Sequence, residues 1–164
     1  MNNAVKKTLL ARVYDVATES PLEYAAQLSH QHNCHVYLKR EDLQPVHSFK
    51  LRGAYNKMLQ LTEVELAKGV ITASAGNHAQ GVALAAKKMN VSALIIMPKT
   101  TPAIKIDAVQ SYGAEVELFG DSYSDAAEYC KKRAQETSRT FIHPFDDTDV
   151  IVGQGTIGRE IIEQ

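Results

Sequence analysis

The chain has 164 residues, 23% of them charged and 45% hydrophobic, with a formal net charge of −1. That length suits one compact domain or part of a two-domain protein. The charge balance gives no case for nucleic acid or a membrane surface as a partner. No apolar run reaches bilayer length and the N-terminus lacks a signal peptide's apolar core, so the expected compartment is the cytoplasm.

In chain order, Val5, Leu9, Leu10, Val13 and Val16 fall near a helical period and predict an amphipathic helix over 4–17. Thr18-Glu19-Ser20-Pro21 breaks the pattern, and a short extended segment over 22–24 follows. A second amphipathic stretch, about 25–29, leads into His30, His32, Cys34 and His35. Their spacing fits neither a paired-cysteine zinc site nor a helical His-Glu-x-x-His site, so a polar loop without metal is expected. The two cysteines, Cys34 and Cys130, are expected to be reduced and unpaired. Val36–Arg40 alternates in the manner of a strand.

The next stretch, Gln44-Pro45-Val46-His47-Ser48-Phe49-Lys50-Leu51-Arg52-Gly53-Ala54, combines a turn with a helix start. Pro45 favours an extended residue before it, and Ser48 is the expected N-cap of a helix running through Tyr55 to about Leu61. Lys50 then sits at the positive end of the helix dipole, with Arg52 two residues on. Like charge and partial desolvation both lower a lysine's pKa and free its amine as a nucleophile. Read locally, a solvated surface lysine is the other possibility.

From Gly69 onward, strands (69–73, 92–97, 115–119, 140–143) alternate with helices (77–89, 102–112, 125–137). This order implies right-handed crossovers and a parallel sheet covered on both faces, so 56–148 reads as one three-layer α/β domain. Residues 1–55 and 149–164 are expected to belong together outside it. The final segment, Asp149–Gly158, reads as strand-like and then glycine-rich, opening a helix. Gly153, Gly155 and Gly158 match G-x-G-x-x-G literally, which keeps a dinucleotide-binding module open as a minor alternative.

Thr72-Ala73-Ser74-Ala75-Gly76-Asn77-His78-Ala79-Gln80-Gly81 joins a strand's carboxyl end to a helix start, where open α/β sheets place ligands. Small residues there let backbone N–H groups approach an anion such as a carboxylate, with Ser74 and Asn77 as further donors. A plain N-cap at Asn77 and a packed His78 are the structural alternative.

The stretches Ser48–Ala54 and Ser74–Gly81, in this order and at this separation, closely resemble the fold-type II pyridoxal-phosphate enzymes. The fuller string Lys39–Lys50 and the segment Gly153-Gln154-Gly155-Thr156 are most similar to the threonine dehydratases of that family. The resemblance implies an α/β fold with mainly parallel sheets and pyridoxal 5′-phosphate as cofactor. It implies that 1–55 begins a larger cofactor domain, that 56–148 is the small domain and that 149–164 returns to the larger one, left incomplete. Lys50 would be the Schiff-base lysine and catalytic base, with Phe49 packed near the cofactor and Asn77 bonded to its phenolic oxygen. Ser74, Ala75, Gly76 and Asn77 would receive the substrate carboxylate. The implied reaction converts L-threonine, with L-serine as a second substrate, to 2-oxobutanoate and ammonia, entering isoleucine biosynthesis in a homotetramer.

Two departures qualify this. Serine racemases of the family carry a serine where Ala75 stands, and a methyl group cannot move a proton, so elimination is favoured over racemisation. The family's glycine-rich phosphate loop, its pyridine-nitrogen partner and its regulatory region correspond to positions after Gln164. A truncated, non-catalytic remnant that serves at most as a binding module is therefore the other expectation.

Overall fold

The computed structural model describes residues 3–164. The first elements are α1 (Asn3–Leu10), β1 (Leu22–Tyr24), α2 (Ala26–His32), β2 (Tyr37–Lys39), a short 3-10 turn (Glu41–Leu43), α3 (Lys50–Met58) and α4 (Glu63–Lys68). The alternating part follows as β3 (Val70–Ala73), α5 (Asn77–Met89), β4 (Ala93–Met97), α6 (Ala103–Gln110), β5 (Glu115–Leu118), α7 (Tyr123–Thr137) and β6 (Thr140–Phe141), and the chain ends in α8 (Thr148–Glu163).

The alternating part forms a four-stranded parallel sheet in the order β5-β4-β3-β6. Its central strands β3 and β4 are buried along their whole length, as their unbroken apolar runs require of a sheet covered on both sides. Side chains divide by the period of two. Val70, Ala93, Ile95 and Met97 pack with α5, with Val109 of α6 and with Ala54, Tyr55 and Met58 of α3. Ile71, Ala73, Leu94 and Ile96 turn the other way, onto Ala126 and Cys130 of α7. The expected three-layer α/β arrangement is present. The strands β1 and β2 pair antiparallel in a separate two-stranded sheet.

Glycines decide how α3 is held between α5 and α8. A Cβ on Gly81 of α5 would lie 3.0 Å from the Leu51 nitrogen and the Lys50 carbonyl carbon. One on Gly153 of α8 would meet the Arg52 oxygen at 2.6 Å and the Gly53 Cα at 2.7 Å. Backbone therefore touches backbone on both sides of α3. Gly153→Ala must push α8 off α3, and the expected cost is about 1–3 kcal/mol, read as a lower melting temperature by circular dichroism. Gly158→Ala is the control, because its Cβ would meet nothing within 4 Å.

Four local expectations are corrected. The first helix stops at Leu10, because Val13 and Ala17 are drawn into a cluster with Val46 and Leu51 and the chain turns to deliver them. His30 and His32 lie in α2, leaving Cys34 and His35 in the loop; among the described residues no His/Cys/Asp/Glu group is placed to hold a metal. The helix α4 was not anticipated, although Thr62 and Glu65 form the capping box that announces it. The terminal segment is helix from Thr148 onward, started by Asp147, whose carboxylate accepts from the Asp149 and Val150 N–H groups. Gly153 and Gly155 are thus packing notches inside a helix. The strand–glycine turn–helix that a dinucleotide fingerprint needs is absent there, which removes that alternative.

Candidate functional site

Lys50 is the first residue of α3. The helix starts one residue later than Ser48 capping predicts: Phe49 occupies the N-cap position in αR conformation, and the Ser48 Oγ accepts from the Lys50 N–H at 3.3 Å. The Lys50 Nζ donates to the Pro144 carbonyl at 2.7 Å and stands 5.5 Å from the centroid of the Phe49 ring. Lys50 is half-buried, and burial lowers its pKa below the ordinary lysine value. Among the described residues no carboxylate pairs with it.

The expected contribution of Arg52 to that depression is corrected. Arg52 is fully buried and turned away, with Nε and Nη2 on both oxygens of Glu41 (2.9 and 2.8 Å) and Nη1 and Nη2 on Glu160. Its charge is spent on those carboxylates, and desolvation alone lowers the lysine.

The second stretch forms the turn between β3 and α5. The Ser74 N–H bonds the Ile96 carbonyl at 3.1 Å, and the Ser74 Oγ accepts from the Gly76 N–H at 3.2 Å. Gly76 is the N-cap residue, and a Cβ there would meet nothing within 4 Å. Asn77 is the first helical residue rather than the cap; it is exposed, and its side chain has no hydrogen-bond partner among the described residues. No acceptor among them takes the N–H groups of Ala75, Asn77, His78 or Ala79 either. These are the orphan donors of a helix start.

Asn77 shares a helix face with Gly81, four residues on, and Gly81 lies against the Lys50 backbone. The donors at the start of α5 therefore stand about one helical turn, ~5.4 Å along the axis, from the base of the lysine. A third segment, which the sequence reading missed, completes the arrangement. After β6, the Ile142 carbonyl accepts from the Thr72 Oγ1 at 2.8 Å and lies 3.2 Å from the His78 Nε2, while the next-but-one carbonyl, Pro144, takes Lys50. Backbone carbonyls carry no residue-type signal; only the pairing of β6 beside β3 brings them here.

His78 is 3% exposed, with Nδ1 unpartnered. Burial pushes its pKa down to about 4, against a smaller upward pull from the Ile142 carbonyl, and the Lys50 and His143 charges add to the depression. It is neutral at pH 7, donating from Nε2. Between its ordinary value of 6.5 and about 4 the unfolded chain binds a proton that the folded chain refuses. Stability therefore falls as pH drops through that window, by about 3 kcal/mol in all. His78→Gln keeps a donor for Ile142 and removes the titration. Urea midpoints at about pH 7 and about pH 4.5 should converge in the variant more than in the wild type; an equal acid loss in both would refute the assignment.

The donor set fits a carbonyl-bearing anionic ring. A desolvated amine has an aromatic ring beside it, and the neighbouring helix start offers an exposed amide, free N–H groups and open space at Gly76. Of the sequence-derived residues, Lys50, Phe49, Ser74, Ala75, Gly76 and Asn77 all belong to these two adjoining helix starts.

A model of the pyridoxal-phosphate dependent enzyme family matches residues 13–164. The chain is 60% identical over 156 residues to a biosynthetic chloroplastic threonine dehydratase of Arabidopsis thaliana, covering 95% of this chain and 26% of the relative. It is 58% identical over 163 residues to a biosynthetic L-threonine dehydratase of Burkholderia multivorans, covering 98% and 32%. Its fold superposes on processed threonine deaminase isoform 2 of Solanum lycopersicum with a TM-score of 0.94 and 54% identity, over 98% of this chain and 47% of that one. The chain thus spans about a quarter to a third of the length of the curated relatives it matches.

Proposed function

The chain belongs to the pyridoxal-phosphate-dependent enzymes, and on that premise we propose that it carries the lysine half of a site that dehydrates and deaminates L-threonine, with L-serine as a second substrate. The observation that supports this most is the packing of the Lys50 backbone against Gly81, one turn from the start of α5, with the desolvated amine held only on the Pro144 carbonyl among the described residues.

In this reading pyridoxal 5′-phosphate, when bound, supplies the electron sink that makes an amino acid's α-proton acidic. Lys50 is the residue that would hold the cofactor, and its free amine would take the α-proton. Its lowered pKa keeps more of the amine unprotonated than an exposed lysine would. In both tasks it must leave the Pro144 carbonyl, a single neutral acceptor that costs little to give up. Phe49 would pack at the side of the cofactor and Asn77 would donate to its phenolic oxygen. Ser74, the N–H groups of Ala75, Gly76 and Asn77, and the dipole of α5 receive the substrate carboxylate. For Gly76 this means exchanging its bond to the Ser74 Oγ for one to the substrate. Ala75 stands where racemases carry a serine, and its methyl group cannot move a proton, so water leaves the β-carbon in preference to reprotonation at the α-carbon. The net change is L-threonine to 2-oxobutanoate and ammonia, an entry to isoleucine.

The same reading assigns 1–55 and 149–164 to a cofactor domain and 56–148 to a small domain, with α3 running through the 55/56 boundary as their shared element. It also assigns a homotetrameric, cytoplasmic enzyme; among the described residues no helix is long and apolar enough to cross a membrane. Titration of the chain with pyridoxal phosphate tests the site. A saturable near-visible absorbance band is the expected result. No band at saturating cofactor would leave the chain a non-catalytic relative.

A further inference from the structure

We propose that Arg52 is a positioning residue that aims Lys50: its buried grip on Glu41 and Glu160 fixes the rotation of α3 about its own axis. This rests on the reading of Lys50 as the reactive amine.

Every nitrogen of the Arg52 guanidinium is engaged. Beyond the two carboxylates, Nη1 donates to the Thr156 Oγ1 at 3.1 Å and Nη2 to the Thr18 carbonyl at 3.1 Å. The carboxylates are pinned in turn. Glu41 accepts from the Ser20 Oγ at 2.6 Å and the Gln44 Nε2 at 3.2 Å, and Glu160 from the Tyr14 hydroxyl at 2.8 Å and the Lys39 Nζ at 2.7 Å. Two cations face two carboxylates, so the cluster is neutral and closed and has no charge to offer a ligand.

Such a cluster is weak evidence of stability, because desolvating the ions offsets most of their attraction. What it supplies is direction. A planar fork held by carboxylates on two separate elements, the 3-10 turn and α8, resists turning in a way that non-directional apolar contact does not. Successive helical residues advance by about 100°, so Lys50 and Arg52 lie about 200° apart around α3. Gripping one sends the other to the opposite side, where Gly81 and the Pro144 carbonyl stand. Among the described residues, the remaining restraints on the Lys50 side chain are that one carbonyl and the Phe49 ring.

Pulsed acetylation with acetic anhydride across pH, read by mass spectrometry of the Lys50 peptide, reports the amine without any cofactor. The titratable group coupled to Lys50 is His78 of α5, which is coupled in turn to His143 after β6, and the substitutions leave both untouched. In wild type the Lys50 midpoint should lie below the ordinary lysine value of about 10.4. Arg52→Lys keeps the charge and loses the fork. With its fold verified by circular dichroism, its Lys50 midpoint should rise toward about 10.4, and the near-visible band with pyridoxal phosphate should form about ten- to a hundredfold more slowly. A folded Arg52→Lys with wild-type midpoint and rate would overturn the proposal and leave Arg52 a purely structural residue. Should Arg52→Lys not fold, Glu160→Gln, of the same shape, is read by the same two measurements. Wild type that acetylates at a depressed midpoint yet gives no band would sink the cofactor reading alone, and the acetylation midpoints would still decide the role of Arg52.

Discussion

On the proposed reading, Lys50→Ala should abolish the near-visible band with pyridoxal phosphate and lower any threonine deamination by more than about 10⁴-fold, since one residue would serve as both attachment point and base. Its fold should survive. The side chain contributes one part-buried hydrogen bond to Pro144, worth about 0.5–1.5 kcal/mol. Neighbouring lysines are poor substitutes. Lys39 is paired with Glu160 at 2.7 Å and Lys57 with Asp147 at 2.8 Å. Burial works against the charge on Lys57, but Asp147 and Asp149 outweigh it and raise its pKa. Each would have to break an ion pair before presenting a free amine, whereas Lys50 has none to break among the described residues. Absorbance titration of both proteins, with melting curves to confirm folding, decides the matter. A band of undiminished amplitude in Lys50→Ala would mean that another amine holds the cofactor.

What could be read in advance follows from how far apart the determining residues lie. The bounds of α5, from Asn77 to Met89, were legible because its small residues and the turn before it are contiguous, and the strands β3 and β4 because their apolar runs are. The approach of Lys50 to the start of α5 was legible only through the family resemblance, since the glycine that permits it sits 31 positions further on. The helix α8 was misread because Val150-Ile151-Val152 has β character and three glycines resemble a loop. There tertiary contact overrides propensity: the glycine that weakens an isolated helix is the one that lets α8 touch α3. The partners of Arg52 lie at positions 18, 41, 156 and 160, and no local pattern joins them. From sequence, Arg52 was a charge beside Lys50; in the fold it is neutralised and faces away.

Removing that charge is expected to produce the largest loss of stability in the chain. Arg52→Met leaves Glu160 with Lys39 and leaves Glu41 buried with no cation among the described residues, a change that typically costs about 3–5 kcal/mol. For a chain of this size that is a drop of about 6–20 °C in melting temperature, out of a total stability of about 5–15 kcal/mol. The pH dependence identifies the cause. In wild type, burial opposes ionisation of Glu160, but hydrogen bonds from Arg52, Lys39 and Tyr14 outweigh it and hold its pKa below the ordinary value of 4.5. That contribution is present above about pH 4.5 and is lost as pH falls through the lowered value. In the variant the sign is opposite: protonating a carboxylate relieves an uncompensated buried charge. The deficit relative to wild type should therefore narrow as pH falls from about 7 to about 4, even though neutral His78 makes both proteins less stable in acid. A deficit that stays constant across that range would point to lost packing instead of lost charge. Apolar replacement of all four members of the cluster, Arg52→Met and Lys39→Met with Glu41→Leu and Glu160→Leu, should recover much of the stability, because well-packed apolar groups commonly match a buried ion cluster. It should not fully recover the depressed acetylation midpoint of Lys50, since methyl groups do not replace the directed grip of the fork on the first turn of α3.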